Sequence, residues 1–292
     1  MSCVKNSLIH TSRGLVKVQD LVFGDQILTP SGFYKQLIKT NLLPKQRIVK
    51  INTDGGEFQC FENTRVGVMK SPTEIMWKHP QDLIYGARLV NPKKSCEGTN
   101  KAFDKNRAWF IGLVHALAIN NNFFSILTNP ALTKPDIAHK LKKEFDSFNW
   151  PMVDFVKFIE TMGKSIPEYI YNQTTELRLA YLSGLTDSHY TFWSLDFAKE
   201  IQLLMYSCGL QGRIHRYEQG YCVEPNTYSY NVYKKLDTLS SNFPDINKSD
   251  LNKSDTWHPI EFIGSEITGE QAEAYYVEVD GGQFYCNGYL VF

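Results

Sequence analysis

Strand-patterned sequence at both ends of the chain, with helix-patterned sequence between them, constrains the fold more than any other feature. Near the amino terminus, residues 7–11 form a short apolar run that Gly14 breaks, and residues 15–18 alternate with polar positions. Phe23-Gly24-Asp25 reads as a turn, and residues 26–29 begin another strand. The pattern continues through residues 33–39, 47–52, 57–60 and 65–69, with Asp54-Gly55-Gly56 as a hairpin turn. It returns over residues 257–267, 274–280, 283–286 and 289–292, where Asn287-Gly288 reads as a tight turn. Between these blocks the period changes to that of helices. Residues 107–119, 135–148, 153–162, 177–187 and 197–208 are expected to be helical, with tyrosine-rich strands over 217–233. Polar linkers are expected over 92–105 and 242–256. One β fold interrupted by an inserted block accounts for this order, since whole insertions are tolerated at exposed loop tips.

A length of 292 residues fits two domains, or one domain with a large insert. Apolar and charged contents of 42% and 21% are ordinary for a globular chain, and there is neither a membrane-length apolar run nor a signal-peptide start. A soluble, cytoplasmic monomer is the expectation. The six cysteines (3, 60, 96, 208, 222 and 286) lack zinc-site spacing, so no metal site and no disulfide framework is expected. Net charge is zero, whereas a chain that grips phosphates carries a basic surplus. His79, next to Pro80, reads as a solvated histidine rather than a base.

The opening stretch, Cys3-Val4-Lys5-Asn6-Ser7-Leu8-Ile9-His10-Thr11 with Gly14, Asp20-Leu21 and Gly24-Asp25 after it, resembles the start of an intein, the self-splicing Hint-fold element. The Trp77 phrase through Asp82-Leu83 and Gly86 and the terminal run from Gly282 to Phe292 fit the same family. The resemblance implies a mainly β, horseshoe-like Hint domain from residues 1–95 and 256–292. It makes Cys3 the nucleophile of an N-to-S acyl shift, Met1-Ser2 a stub of upstream flank, and the host flanks (exteins) partners in cis. No cofactor is needed for splicing. Thr64 falls where the family has its catalytic histidine, and Phe61 where it has a threonine. A threonine hydroxyl hydrogen-bonds but does not titrate near neutral pH. Phe292 stands at the penultimate histidine, Gly282 at another histidine and Tyr276 at an aspartate; the family's terminal asparagine would come next.

Residues 96–255 are similar to an α/β LAGLIDADG homing endonuclease. The two segments are Phe110-Ile111-Gly112-Leu113-Val114-His115-Ala116-Leu117-Ala118 and Leu182-Ser183-Gly184-Leu185-Thr186-Asp187-Ser188-His189-Tyr190. Gly112 and Gly184 keep the family's close helix packing. The positions that would carry the Mg²⁺-binding acids are Leu117 and His189; leucine has no ligand atom and histidine suits Mg²⁺ poorly. An intein with an atypical active site and an inactive endonuclease insert is therefore the leading expectation. Mg²⁺ would matter only to an active nuclease, and DNA binding through the lysine-rich 134–143 helix would be weak. Two alternatives stay open: a working endonuclease in a splicing-dead intein, and a non-catalytic DNA-binding remnant.

Overall fold

The computed structural model describes residues 1–71, 73–92, 98, 104–119, 135–147, 157–158, 165–188, 193–225 and 257–292. Most of the expected helix over 153–162, most of both linkers, the strands beyond residue 225 and His189 lie outside the described residues.

The chain opens with β1 (Ser2–Val4), β2 (Leu8–Thr11), β3 (Gly14–Lys17), β4 (Gln26–Leu28), β5 (Tyr34–Thr53), β6 (Gly56–Phe61), β7 (Val66–Ser71), β8 (Glu74–Lys78) and β9 (Arg88–Pro92). It ends with β12 (Trp257–Val279), β13 (Phe284–Cys286) and β14 (Tyr289–Val291). These twelve strands form one sheet. Its path runs β1-β12-β9-β7-β14-β13-β2-β4-β5-β6, and an added β12–β5 pairing closes it on itself. Strands β1 and β6 hang off the two sides of that closure and face each other. The result is mainly β, and the amino- and carboxyl-terminal strands are interleaved: Cys286 pairs with Ile9 and Val291 with Val66.

Two expected breaks are absent. Residues 40–46, with Pro44, read as a gap, and so did residues 268–273, yet β5 and β12 run unbroken as a ribbon of 20 and 23 residues. The reason is irregular pairing. The register shifts between Ile267 and Gln271 and again between Ala272 and Ala274, so that Pro44 sits where no ladder bond is needed. The tight turn expected at Asn287-Gly288 is present, both residues having positive φ (50° and 80°), as a two-residue hairpin of this kind requires.

Between β9 and β12 lie α1 (Lys105–Ile119), α2 (Pro135–Ser147), α3 (Glu168–Tyr171), α4 (Thr175–Asp187), α5 (Leu195–Ser207) and the hairpin of β10 (Gly212–Tyr217) and β11 (Gly220–Pro225). Helices α1 and α4 are buried nearly all round, which fits their lack of a polar face. They touch backbone to backbone. A methyl group at Gly112 would overlap the Tyr181 carbonyl oxygen, and one at Gly184 the Trp109 carbonyl oxygen. Overlap with rigid backbone cannot be relieved by a rotamer change. Gly184→Ala is therefore expected to lower stability by about 3 kcal/mol, at the top of the range for overpacking, measurable by urea unfolding.

The helical layer does not hang from the sheet by its linkers alone. Leu8 and Leu15 of β2 and β3 belong to the helical core, and Tyr206 of α5 belongs to the sheet's core. Ion pairs cross the same boundary: Lys199 to Glu57 at 3.4 Å and Arg213 to Asp54 at 2.6 Å. No helix among the described residues is long and apolar enough to cross a membrane.

Candidate active site around Cys3

Cys3 is 3% exposed, although it is the third residue of the chain. It stays in place because β1 pairs with β12, Ser2 to Tyr276, Cys3 to Tyr275 and Val4 to Ala274. The Met1 amine donates to the Val277 carbonyl at 2.9 Å, and Val277 N–H donates back to Met1 O at 2.7 Å. Two residues after Cys3, Lys5 N–H donates to Glu273 O at 3.1 Å. Antiparallel ladders alternate bonded and non-bonded pairs. With Met1 and Lys5 in bonded pairs, Cys3 is bonded too and Ser2 is not. The Ser2 carbonyl therefore faces away from β12, on the side where β6 lies.

Ser2 and Cys3 line a small cavity of about 10 Å³, room for roughly one water. Its walls include Ser2, Cys3, Phe58, Cys60, Thr64 and Cys286, with Val291 closing it. Four strands drawn from both ends of the chain, together with the turn after β6, supply these residues. Burial pushes the Cys60 thiol well up. The Cys286 thiol beside it is the largest influence on Cys3 and, with burial, holds the Cys3 thiol well above its ordinary range. Cys3 is thus a protonated thiol at neutral pH, and its nucleophilicity depends on losing a proton during attack.

Thr64 is buried on this cavity. Its hydroxyl accepts from Phe61 N–H at 3.3 Å, and its own N–H donates to the Phe61 carbonyl at 2.9 Å, closing the turn after β6. Phe292 is elsewhere. It is 41% exposed, its ring lies 5.3 Å from that of Trp77, and its edge covers Gly282. Its backbone pairs with Arg65. The structure therefore brings Cys3 and Thr64 together and leaves Phe292 off the cavity, with Val291 in its place. Cys60 and Cys286 were not singled out by the sequence reading. A cysteine inside a strand gives no local signal of which pocket it meets.

The helical positions are also placed. Leu117 is 1% exposed in the helical core, and the buried Asp187 accepts from Trp109 Nε1 at 2.8 Å. Leu117 offers no ligand atom for Mg²⁺, and the other position, His189, lies outside the described residues. No group of three His, Cys, Asp or Glu side chains among the described residues is arranged to hold a metal.

His10, in the middle of β2, is wholly buried, and neither ring nitrogen has a hydrogen-bond partner among the described residues. Burial, with the Arg178 guanidinium of α4 as a second cause, lowers its pKa to about 3. The unfolded chain takes up this proton below about pH 6.5; the folded chain does not until about pH 3. Stability is thus free of this penalty above pH 6.5 and falls by about 1.4 kcal/mol per pH unit below it. His10→Leu removes both the titration and two unpaired polar atoms. Its expected outcome is about 1–2 kcal/mol of added stability at pH 7 and a shallower acid limb, read from urea midpoints between pH 7 and 4.

No family model matches the chain, and no curated protein matches it. Among solved structures, one titled as the crystal structure of the gp41-1 intein matches with 18% sequence identity over 31% of this chain and 69% of that chain, at a TM-score of 0.27.

Proposed function

We propose that the chain is a protein-splicing element in which Cys3 attacks the Ser2 carbonyl, and that its helical block is an endonuclease-like insert without nuclease activity. The observation that carries this reading is a buried cysteine near the amino terminus whose cavity is shared by Ser2, Thr64, Cys286 and Val291, so that strands from both ends of the sequence enclose it.

In the reaction, the Cys3 Sγ–C bond forms as the Ser2–Cys3 C–N bond breaks, and the thiol proton ends on the liberated Cys3 amine. The ladder bond between Cys3 and Tyr275 keeps that amine in place. The Ser2 carbonyl, unbonded by β12, is free to take up the developing charge. Among the described residues no imidazole lines the cavity, and Thr64 can hydrogen-bond but not titrate. The shift is accordingly slow at neutral pH and quickens as pH rises toward the Cys3 pKa.

The test is a chain carrying an asparagine after Phe292, set between two reporter flanks, beside a Cys3→Ala control. Treatment with a small thiol is expected to release the upstream flank from the parent and not from Cys3→Ala, with the release faster at pH 9 than at pH 7. A precursor that stays whole at every pH removes the splicing reading. Incubation of the same protein with supercoiled plasmid and Mg²⁺ is expected to leave the plasmid uncut.

A further inference from the structure

Tyr206 lies in the helical block by sequence and in the sheet's core by position. It is 1% exposed, near the end of α5. Its ring is pressed on Gly288, where a methyl group would overlap Tyr206 Cδ2, and a methyl group at Gly55 would come within 2.9 Å of its hydroxyl. One aromatic side chain thus touches the turns of two hairpins, β5–β6 and β13–β14. It meets Tyr289 edge to face at 6.3 Å. Tyr289 in turn stacks on Phe58 at 3.9 Å and shares a 3.1 Å hydrogen bond with Thr53 Oγ1. From the far side, Asn91 Nδ2 donates to the Gly288 carbonyl at 2.6 Å. The β13–β14 turn is therefore clamped between α5 and β9.

The strands leaving that turn carry Cys286 and Val291, and Phe58 is in β6. All three line the Cys3 cavity. We propose that Tyr206 is a positioning residue for the Cys3 site: by holding the Asn287-Gly288 turn and Tyr289, it fixes Cys286, Val291 and Phe58 around the nucleophile. The helical block is then a part of the splicing site, not a passenger. The role assigned to Cys3 comes from the splicing reading, but the clamping of Cys286 does not depend on it.

The full chain between its flanks tests this with Tyr206→Ala, Tyr206→Leu and Tyr206→Phe. Two readouts are taken well below the unfolding midpoint: alkylation of Cys286, located by peptide mapping, and thiol-induced release of the upstream flank. Amide exchange of α1 serves as a check that the helical core is intact. Tyr206→Phe, which keeps the ring, is expected to stay within about threefold of the parent in both. Tyr206→Leu, which keeps the burial but not the flat face, is expected to alkylate Cys286 about tenfold faster and to release the flank about tenfold slower, with α1 exchange unchanged. Tyr206→Ala should go further in both. Protection of Cys286 that is equal in the parent and Tyr206→Leu would overturn the proposal, as would a Tyr206→Phe variant that fails as badly as Tyr206→Leu. A parent that releases no flank would count against the splicing reading alone, and Cys286 alkylation would still decide the clamp.

Discussion

A chain in which residues 93–256 are replaced by a short turn will fail to form a compact β domain. The replacement is geometrically open: Trp257 pairs directly with Pro92, so a turn of about two to four residues could join β9 to β12 as a hairpin. What fails is the core. Leu8 and Leu15 have their apolar partners in the helical layer, and the sheet's own cluster loses Tyr206 and the flanking Leu203. Phe58 and Tyr289 lose the cover of α5. Uncovering four large side chains at about 1.5–3 kcal/mol each costs roughly 6–12 kcal/mol, as much as the whole stability of an ordinary domain. His10 would also come within reach of water and take up its proton near the usual pH. The expected product is insoluble, or soluble with dye-binding apolar surface, poor amide dispersion and no cooperative thermal transition. A cooperative transition, with thiol-induced release at the parent's rate, would show that the sheet stands alone.

The sequence order, strands then helices then strands, led to the expectation of one β fold interrupted by an insert, but the joint between the two was not legible. Helical periodicity identifies a buried face but not what buries it. Tyr206 fits the pattern of α5 as well as Leu204 and Met205 do, yet it serves a different core. Glycines carried more than was drawn from them. Gly14 was read as a break between strands; a methyl group there would overlap the Tyr171 carbonyl oxygen of α3, so its second role is to let a helix dock on a turn. Gly112 and Gly184 were singled out from the resemblance of two segments to one family motif, and each lies against backbone of the other helix. The terminal strands were legible from alternation and from turns with a mechanism, Asp54-Gly55-Gly56 and Asn287-Gly288. Residues 40–46 fell between two expected strands, and only the partner strand's bulge shows how the ladder passes Pro44. Cys3 and Thr64, which share one cavity, were singled out from a resemblance spread over many residues. Cys286 needed the closure of the sheet, which no local pattern encodes.

Thr64→His is expected to speed thiol-induced release of the upstream flank by about 100-fold at pH 7. The thiol of Cys3 is held protonated, and the amine it expels must gain a proton, so the reaction lacks a group that can move protons near neutrality. A placed acid–base group contributes roughly 10²- to 10⁴-fold, and Thr64 already shares the cavity with Cys3 and Ser2. The opposing effect is space. Thr64 is 4% exposed and the cavity holds only about 10 Å³, so an imidazole must displace its neighbours. Overpacking of this size costs about 1–3 kcal/mol, and the Phe61 N–H loses its present acceptor unless a ring nitrogen replaces it. A domain with stability in the usual range absorbs that loss and remains folded, so the chemical gain prevails in the rate. The pH profile separates the two effects. The parent's release rises steadily with pH as Cys3 ionises, whereas the Thr64→His rate should depend less steeply on pH, because the imidazole then carries the proton. Thr64→Asn supplies similar bulk without a titrating atom. It should match the loss of stability and show no acceleration. Equal rates in Thr64→His and Thr64→Asn, with both folded, would mean that the missing proton carrier is not what limits the first step, and the search would move to the orientation of the Ser2 carbonyl itself.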